Sequence, residues 1–139
     1  MAEVLIVEDD GAVRQALRLV LEEAGYSTQE VEDGLDGLRV LWTCPEPKVV
    51  LLDHFLPHMD SQQLLVLVSD AGEQLRRHQY IEVTGGGDRL SPACRQLLSS
   101  LEIPLVRKPF DVDTLLEAVS QAEERLGGAR ETPAVAPTQ

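Results

Sequence analysis

The segment VVLLDHFLPHMD, Val49 to Asp60, runs four apolar residues into an acid, Asp53, and then into a loop that contains Pro57. A short continuous apolar run bounded by turn residues is the mark of a strand buried on both faces. Water solvates a carboxylate far better than a protein interior does, so an acid at the end of such a strand needs a partner or a chemical role.

Working outward, apolar runs alternate with helical patterns. Glu3–Glu8 (EVLIVE) is a second apolar run ending in acid. From Gly11 to Ala24 the apolar positions Val13, Ala16, Leu17, Val20 and Leu21 form a helical stripe that Gly25 closes. Ser27–Val31 reads as a short strand, and Leu35, Leu38 and Leu41 as a second helix ended by Pro45 and Pro47. Asp60 is placed to cap a third helix carrying Leu64, Leu65, Leu67 and Val68. Gln79–Thr84 is a strand, Ser91–Pro92 opens a fourth helix to about Ser100, Ile103–Arg107 is the last strand, and Asp111 caps a fifth helix with Val112, Leu115, Leu116 and Val119. Residues 127–139, GGARETPAVAPTQ, lack periodicity and read as a flexible tail or linker after a domain of residues 1–126.

Five such βα units with short connections imply an α/β fold: a doubly wound, five-stranded parallel sheet with helices on both faces. In that architecture ligands collect at the carboxyl ends of the strands, near the switch in strand order. Composition narrows the functional classes. Of 139 residues 43% are apolar, enough for a packed core. Asp and Glu outnumber Lys and Arg 24 to 12, and a net charge of −12 disfavours direct contact with a phosphate backbone. The sequence contains neither a membrane-length apolar run nor a signal-peptide pattern, so a cytoplasmic location is expected. Cys44 and Cys94 have no close pair spacing, and His54, His58 and His78 form no ligand pattern with them, so both thiols are expected to be reduced.

The strand ends carry the chemistry. The first ends in Glu8 and Asp9, the third in Asp53, the fourth in Thr84, and the fifth leads to Lys108–Pro109. Asp10, just outside the acidic pair, is placed as an N-cap instead. Clustered carboxylates repel one another unless a cation intervenes, and a hard divalent ion, Mg²⁺, suits an all-oxygen site. Asp53 can act as a nucleophile toward a phosphoryl group, Lys108 supplies a fixed positive charge, Thr84 a hydroxyl donor, and Gly85 and Gly86 accessible backbone N–H groups. The GGGD run at Gly85–Asp88 has neither the lysine of a P-loop nor the spacing of a dinucleotide loop.

The motifs VLIVEDD, VVLLDHFLPHMD, EVT and RKPFD resemble those of response-regulator receiver domains of two-component signalling, over about residues 3 to 126. The resemblance implies the flavodoxin-like strand order 2-1-3-4-5, with five helices. It implies that Asp53 is the phospho-acceptor, that Asp9 and Asp53 bind Mg²⁺ directly with the carbonyl of Phe55, and that Glu8 acts through a coordinated water. Thr84 is then the switch hydroxyl, Lys108 the lysine that pairs with the phosphate, and Lys108–Pro109 a cis peptide. The implied partners are a sensor histidine kinase or histidine phosphotransfer protein as donor, and a downstream protein. That protein would bind the surface of the fourth helix, last strand and fifth helix, about Ser91 to Leu126. Such a chain modifies and resets itself, so it is not an ordinary enzyme.

Three positions depart from the family pattern. Leu105 stands where an aromatic is common, three residues before the lysine, which leaves a backbone shift after Thr84 to carry the signal. Ser61 and Gly85 replace a usual glycine and a usual alanine. Two rival readings remain: a pseudo-receiver that binds proteins without phosphorylation, and an aspartate-nucleophile phosphatase. The first would be signalled by a missing acceptor or lysine; the second calls for Asp-x-Asp, whereas this chain has Asp53-His54-Phe55.

Overall fold

Strands β1 (Val4–Val7), β3 (Val49–Asp53) and β4 (Gln79–Thr84) are the apolar runs of the sequence, and they lie side by side in a computed structural model that describes residues 2–85 and 90–135, with side chains through residue 127. Strands β2 (Thr28–Val31) and β5 (Leu105–Arg107) flank them, giving one five-stranded parallel sheet in the order β2-β1-β3-β4-β5. This is the flavodoxin-like order expected. Successive side chains on a strand point to opposite faces. Val4, Ile6, Val49, Leu51, Ile81 and Val83 therefore meet Leu17 and Leu21 of α1 (Gly11–Glu23) and Leu115, Val119, Ala122 and Leu126 of α6 (Val112–Val135). Leu5, Val7, Val50 and Leu52 meet the other layer: α2 (Gly34–Thr43), α3 (Ser61–Ala71) and α5 (Pro92–Ser100). Both faces are covered, so β1 and β3 read as unbroken apolar runs.

The helix starts are set by side chains at the expected places. Asp10 accepts from the amides of Ala12 and Val13, Asp60 forms a capping box with Gln63, and Ser91 accepts from the amide of Cys94 ahead of Pro92. Asp33 caps α2 in the same way, accepting from the amide of Asp36 at 2.7 Å.

Two features go beyond the sequence pattern. Among the described residues there are six helices rather than five, because a single turn, α4 (Glu73–Arg76), follows α3. Gly72, at φ +74°, breaks α3, and Leu75, fully buried, draws the next turn back onto the core. Helix α6 also continues to Val135, beyond the Gly127 at which a tail was expected to begin. Glycine disfavours a helix without forbidding it, so the end of the apolar periodicity marks where packing stops, not where the helical backbone does.

A buried histidine ties the lower edge of the sheet together. His78 accepts from the amide of Lys48 at Nδ1 (2.9 Å) and donates from Nε2 to the carbonyl of Leu41 (2.9 Å), which fixes the neutral tautomer. Burial lowers its pKa to about 4, and the charges of Arg77 and Lys48 act in the same direction, against the hydrogen bond to Leu41. An unfolded chain takes up this proton near pH 6.5, before the folded one does, so stability is lost as pH falls from about 6.5 to about 4. One proton contributes a slope of at most about 1.4 kcal/mol per pH unit. Urea unfolding at several pH values is expected to show this slope in the native sequence, reduced in His78→Gln, whose amide offers the same acceptor and donor without titrating.

Candidate functional site

Register brings the strand-end residues together. Val7 pairs with Leu52, so Glu8 and Asp53 follow on adjacent strands, while Thr84 pairs with Arg107 and precedes Lys108 in space. The amide of Lys108 donates to the carbonyl of Thr84 at 2.7 Å, and the Lys108–Pro109 peptide is cis. Glu8, Asp9 and Asp53 each present a carboxylate oxygen within 4.8 Å of the others. Glu8 is 1% exposed and Asp53 6%, whereas Asp9 is exposed at the rim.

Lys108 places an ammonium among these acids. Its Nζ donates to Glu8 Oε1 at 2.7 Å and to Asp53 Oδ1 at 3.3 Å. Glu8 Oε2 accepts from the amide of Asp10 at 3.1 Å, so both oxygens of Glu8 are engaged. Burial raises the Asp53 carboxyl to about 7; the hydrogen bond and charge of Glu8 add to this, and Lys108 opposes it. Burial alone would lower the pKa of Lys108, but its hydrogen bond to Glu8 and the charges of Asp53 and Glu8 outweigh burial and raise it. Perturbed carboxyls of this kind, buried beside an ammonium at strand ends, gather at functional sites.

The other candidates fall around this centre. The Thr84 side chain is fully buried at the end of β4. Phe55 lies two residues beyond Asp53 with its side chain 61% exposed, edge-on to His54 with ring centroids 4.5 Å apart. Gly85 lies beside the Lys108 stem: a Cβ there would meet Lys108 Cβ at 3.9 Å, an ordinary contact, so the glycine leaves room for the methyl of the alanine usual in the family. Gly86, whose backbone N–H was expected to be accessible, lies outside the described residues. Leu105 packs at the edge of the core in register with Glu82.

One cluster escaped the sequence reading. Glu82, wholly buried in β4, accepts at Oε2 from Ser61 Oγ (2.8 Å) and lies 2.9 Å from Nδ1 of His54, which in turn lies 2.8 Å from Ser61 Oγ. This gives the departure at Ser61 a structural reason, because a glycine there would leave the buried acid without that donor. His54 is therefore a buried partner of Glu82, although it sits in the loop where the sequence placed it. The signal was an acid inside the apolar run YIEVT.

Comparison with known proteins agrees with this geometry. The family model described as "Response regulator receiver domain" matches residues 4–120. Sporulation initiation phosphotransferase F of Bacillus subtilis is 30% identical over 122 residues, covering 86% of this chain and 91% of that protein. The C4-dicarboxylate transport transcriptional regulatory protein DctD of Pseudomonas aeruginosa is 33% identical over 125 residues, covering 88% of this chain, but this chain spans only 25% of DctD. Similarly, it spans 51% of the transcriptional regulatory protein CseB of Streptomyces coelicolor. Among solved structures, the signal receiver domain of an HD domain-containing protein from Pseudomonas fluorescens Pf-5 superposes with a TM-score of 0.77 at 26% identity, over 91% of this chain and 98% of that one. The receiver domain of a signal transduction histidine kinase from Syntrophus aciditrophicus gives 0.76 at 26% identity, over 95% of each chain. With strand order, strand-end acids and lysine all in place, the chain belongs to the response regulator receiver domain family.

Proposed function

We propose that Asp53 accepts a phosphoryl group from a phosphohistidine on a sensor kinase or histidine phosphotransfer protein, and that the chain reports this through the surface of α5, β5 and α6. The observation that carries the reading is Lys108 Nζ set between Glu8 and Asp53, with Asp9 at the open rim. Similarity to a protein named as a phosphotransferase supports it.

The residues divide the work by exposure. Asp9 and Asp53, with the backbone carbonyl of Phe55, would hold Mg²⁺ directly. Glu8, both of whose oxygens are already hydrogen-bonded, would act through a coordinated water. The donor set is oxygen throughout, which fits a hard ion. When bound, Mg²⁺ neutralises charge on the phosphoryl oxygens. Asp53 Oδ attacks phosphorus as the bond to the donor imidazole breaks, and the donor leaves with its electron pair. Lys108 and the Thr84 hydroxyl bind the oxygens of the resulting acyl phosphate, which adds roughly −1.5 to −2 charge to the rim. Hydrolysis restores Asp53, so the chain is altered and reset rather than turning over a free substrate.

In this reading residues 1–126 are the signalling unit and 127–139 a connector, and partners are proteins rather than nucleic acid, as the net charge of −12 favours. Among the described residues no helix is long and apolar enough to cross a membrane. Free thiols at Cys44 and Cys94 suit a reducing, cytoplasmic setting.

Titration with beryllofluoride and Mg²⁺, followed by amide NMR, tests the reading. Shifts are expected at Asp53, Thr84 and Lys108 and along residues 91–107. Shifts confined to Glu8, Asp9 and Asp53 would indicate metal binding without a switch, and would favour the pseudo-receiver.

A further inference from the structure

Behind the acceptor lies a second set of metal-ligating side chains, separate from the acidic rim. His54 follows Asp53, Glu82 sits in β4 two residues before Thr84, and Cys94 lies in the first turn of α5. All three are buried, and one ligand atom from each lies within 4.8 Å of the other two. Glu82 Oε2 is engaged by His54 and Ser61, but Oε1 is buried and has no hydrogen-bond partner among the described residues. A buried carboxylate oxygen left unpaired is costly, and the ordinary remedies are a proton or a cation.

We propose that His54, Glu82 and Cys94 form a binding site for a divalent ion of the zinc class. Imidazole nitrogen, thiolate sulfur and carboxylate oxygen together are a zinc-type donor set, whereas Mg²⁺ takes oxygen. Ligand atoms around a tetrahedral zinc lie roughly 3.3–3.8 Å apart, given bonds of about 2.0–2.3 Å. The three ligand atoms lie within 4.8 Å of one another, so the site would tighten as the ion binds. The Ser61 hydroxyl, 2.8 Å from both His54 Nδ1 and Glu82 Oε2, is placed to serve as fourth ligand or to orient the other two. Binding breaks the Cys94 S–H bond and forms a metal–sulfur bond; the proton leaves to solvent and no oxidation state changes. The ion would tie the first turn of α5 to the residue beside Asp53, joining the proposed output surface to the acceptor loop.

The test uses the Cys44→Ser chain, in which Cys94 is the remaining thiol, with Mg²⁺ present in excess to fill the acidic rim. Titration with Co²⁺ is expected to give one equivalent of bound ion with tetrahedral visible bands and a thiolate-to-cobalt charge-transfer band, displaced by Zn²⁺. Adding Cys94→Ser should remove the charge-transfer band, and Glu82→Gln should weaken binding at least tenfold. Absence of the thiolate band in Cys44→Ser, its survival in Cys94→Ser, or its displacement by further Mg²⁺ would each overturn the proposal. The decisive sample retains every proposed ligand, so its result does not depend on whether the other variants fold.

Discussion

Lys108→Ala is expected to lower the unfolding free energy of the Mg²⁺-free chain by about 3 kcal/mol at pH 8, the low end of the range for breaking a buried ion pair. The lysine is the cation that contacts Glu8 (2.7 Å) and Asp53 (3.3 Å), both nearly inaccessible to solvent. Without it, burial and mutual repulsion act on the carboxylates unopposed. The pH dependence follows from the direction of the Asp53 shift. A carboxyl raised to about 7 in the folded state is protonated there before it is in the unfolded chain as pH falls, so the folded state gains relative stability on acidification. Without the lysine the carboxyl rises further, so the deficit of Lys108→Ala should be largest above pH 7, where Asp53 is ionised in the native chain, and should have shrunk by pH 5, where the carboxyl is protonated with or without the lysine. Urea unfolding at pH 8 and pH 5 measures it. Equal deficits at the two pH values would mean that the lysine contributes packing rather than charge.

The second large effect lies where no charge is involved. Gly34, first residue of α2, approaches the loop after β3 so closely that a Cβ would fall 1.8 Å from the carbonyl oxygen of Met59 and 2.8 Å from its carbon. Both belong to backbone, so neither rotates away; α2 or the loop after β3 must move. Gly34→Ala is expected to cost about 3 kcal/mol, the upper part of the range for overpacking, and to lower Tm by roughly 10 °C in a domain of this size. Met59 sits in the loop that links Asp53 to α3, so the same variant should also slow phosphorylation of Asp53 in the folded fraction. A thermal midpoint within about 2 °C of the parent would show that the loop accommodates the methyl group. By contrast, Gly85→Ala meets ordinary contact distances and is expected to leave stability nearly unchanged.

These two glycines show what could and could not be read from sequence. The strands, the caps at Asp10, Asp60 and Ser91, and the gathering of Glu8, Asp9, Asp53 and Lys108 followed from local pattern together with one topological rule, that chemistry lies at strand ends. Each depends on residues close in sequence or on a regular sheet register. The close approach of Gly34 to Met59 and the cluster of His54, Ser61, Glu82 and Cys94 depend on three-dimensional packing between elements far apart in the chain. Periodicity carries no trace of such contacts, although an acid within YIEVT was a visible irregularity. The turn Glu73–Arg76 was hidden because four residues are too few to show a helical repeat. The continuation of α6 past Gly127 was hidden because an apolar pattern reports packing, and the helical backbone outruns it.

Phosphorylation of Asp53 is the claim on which the functional reading rests, and intact mass spectrometry tests it directly. The chain is incubated with Mg²⁺ and a small-molecule phospho-donor, beside Asp53→Asn and a sample with chelator. One phosphoryl adduct is expected on the native sequence and none on Asp53→Asn or in the chelated sample. An adduct of equal yield on Asp53→Asn, or none on the native chain under conditions that modify a known receiver, would contradict that claim.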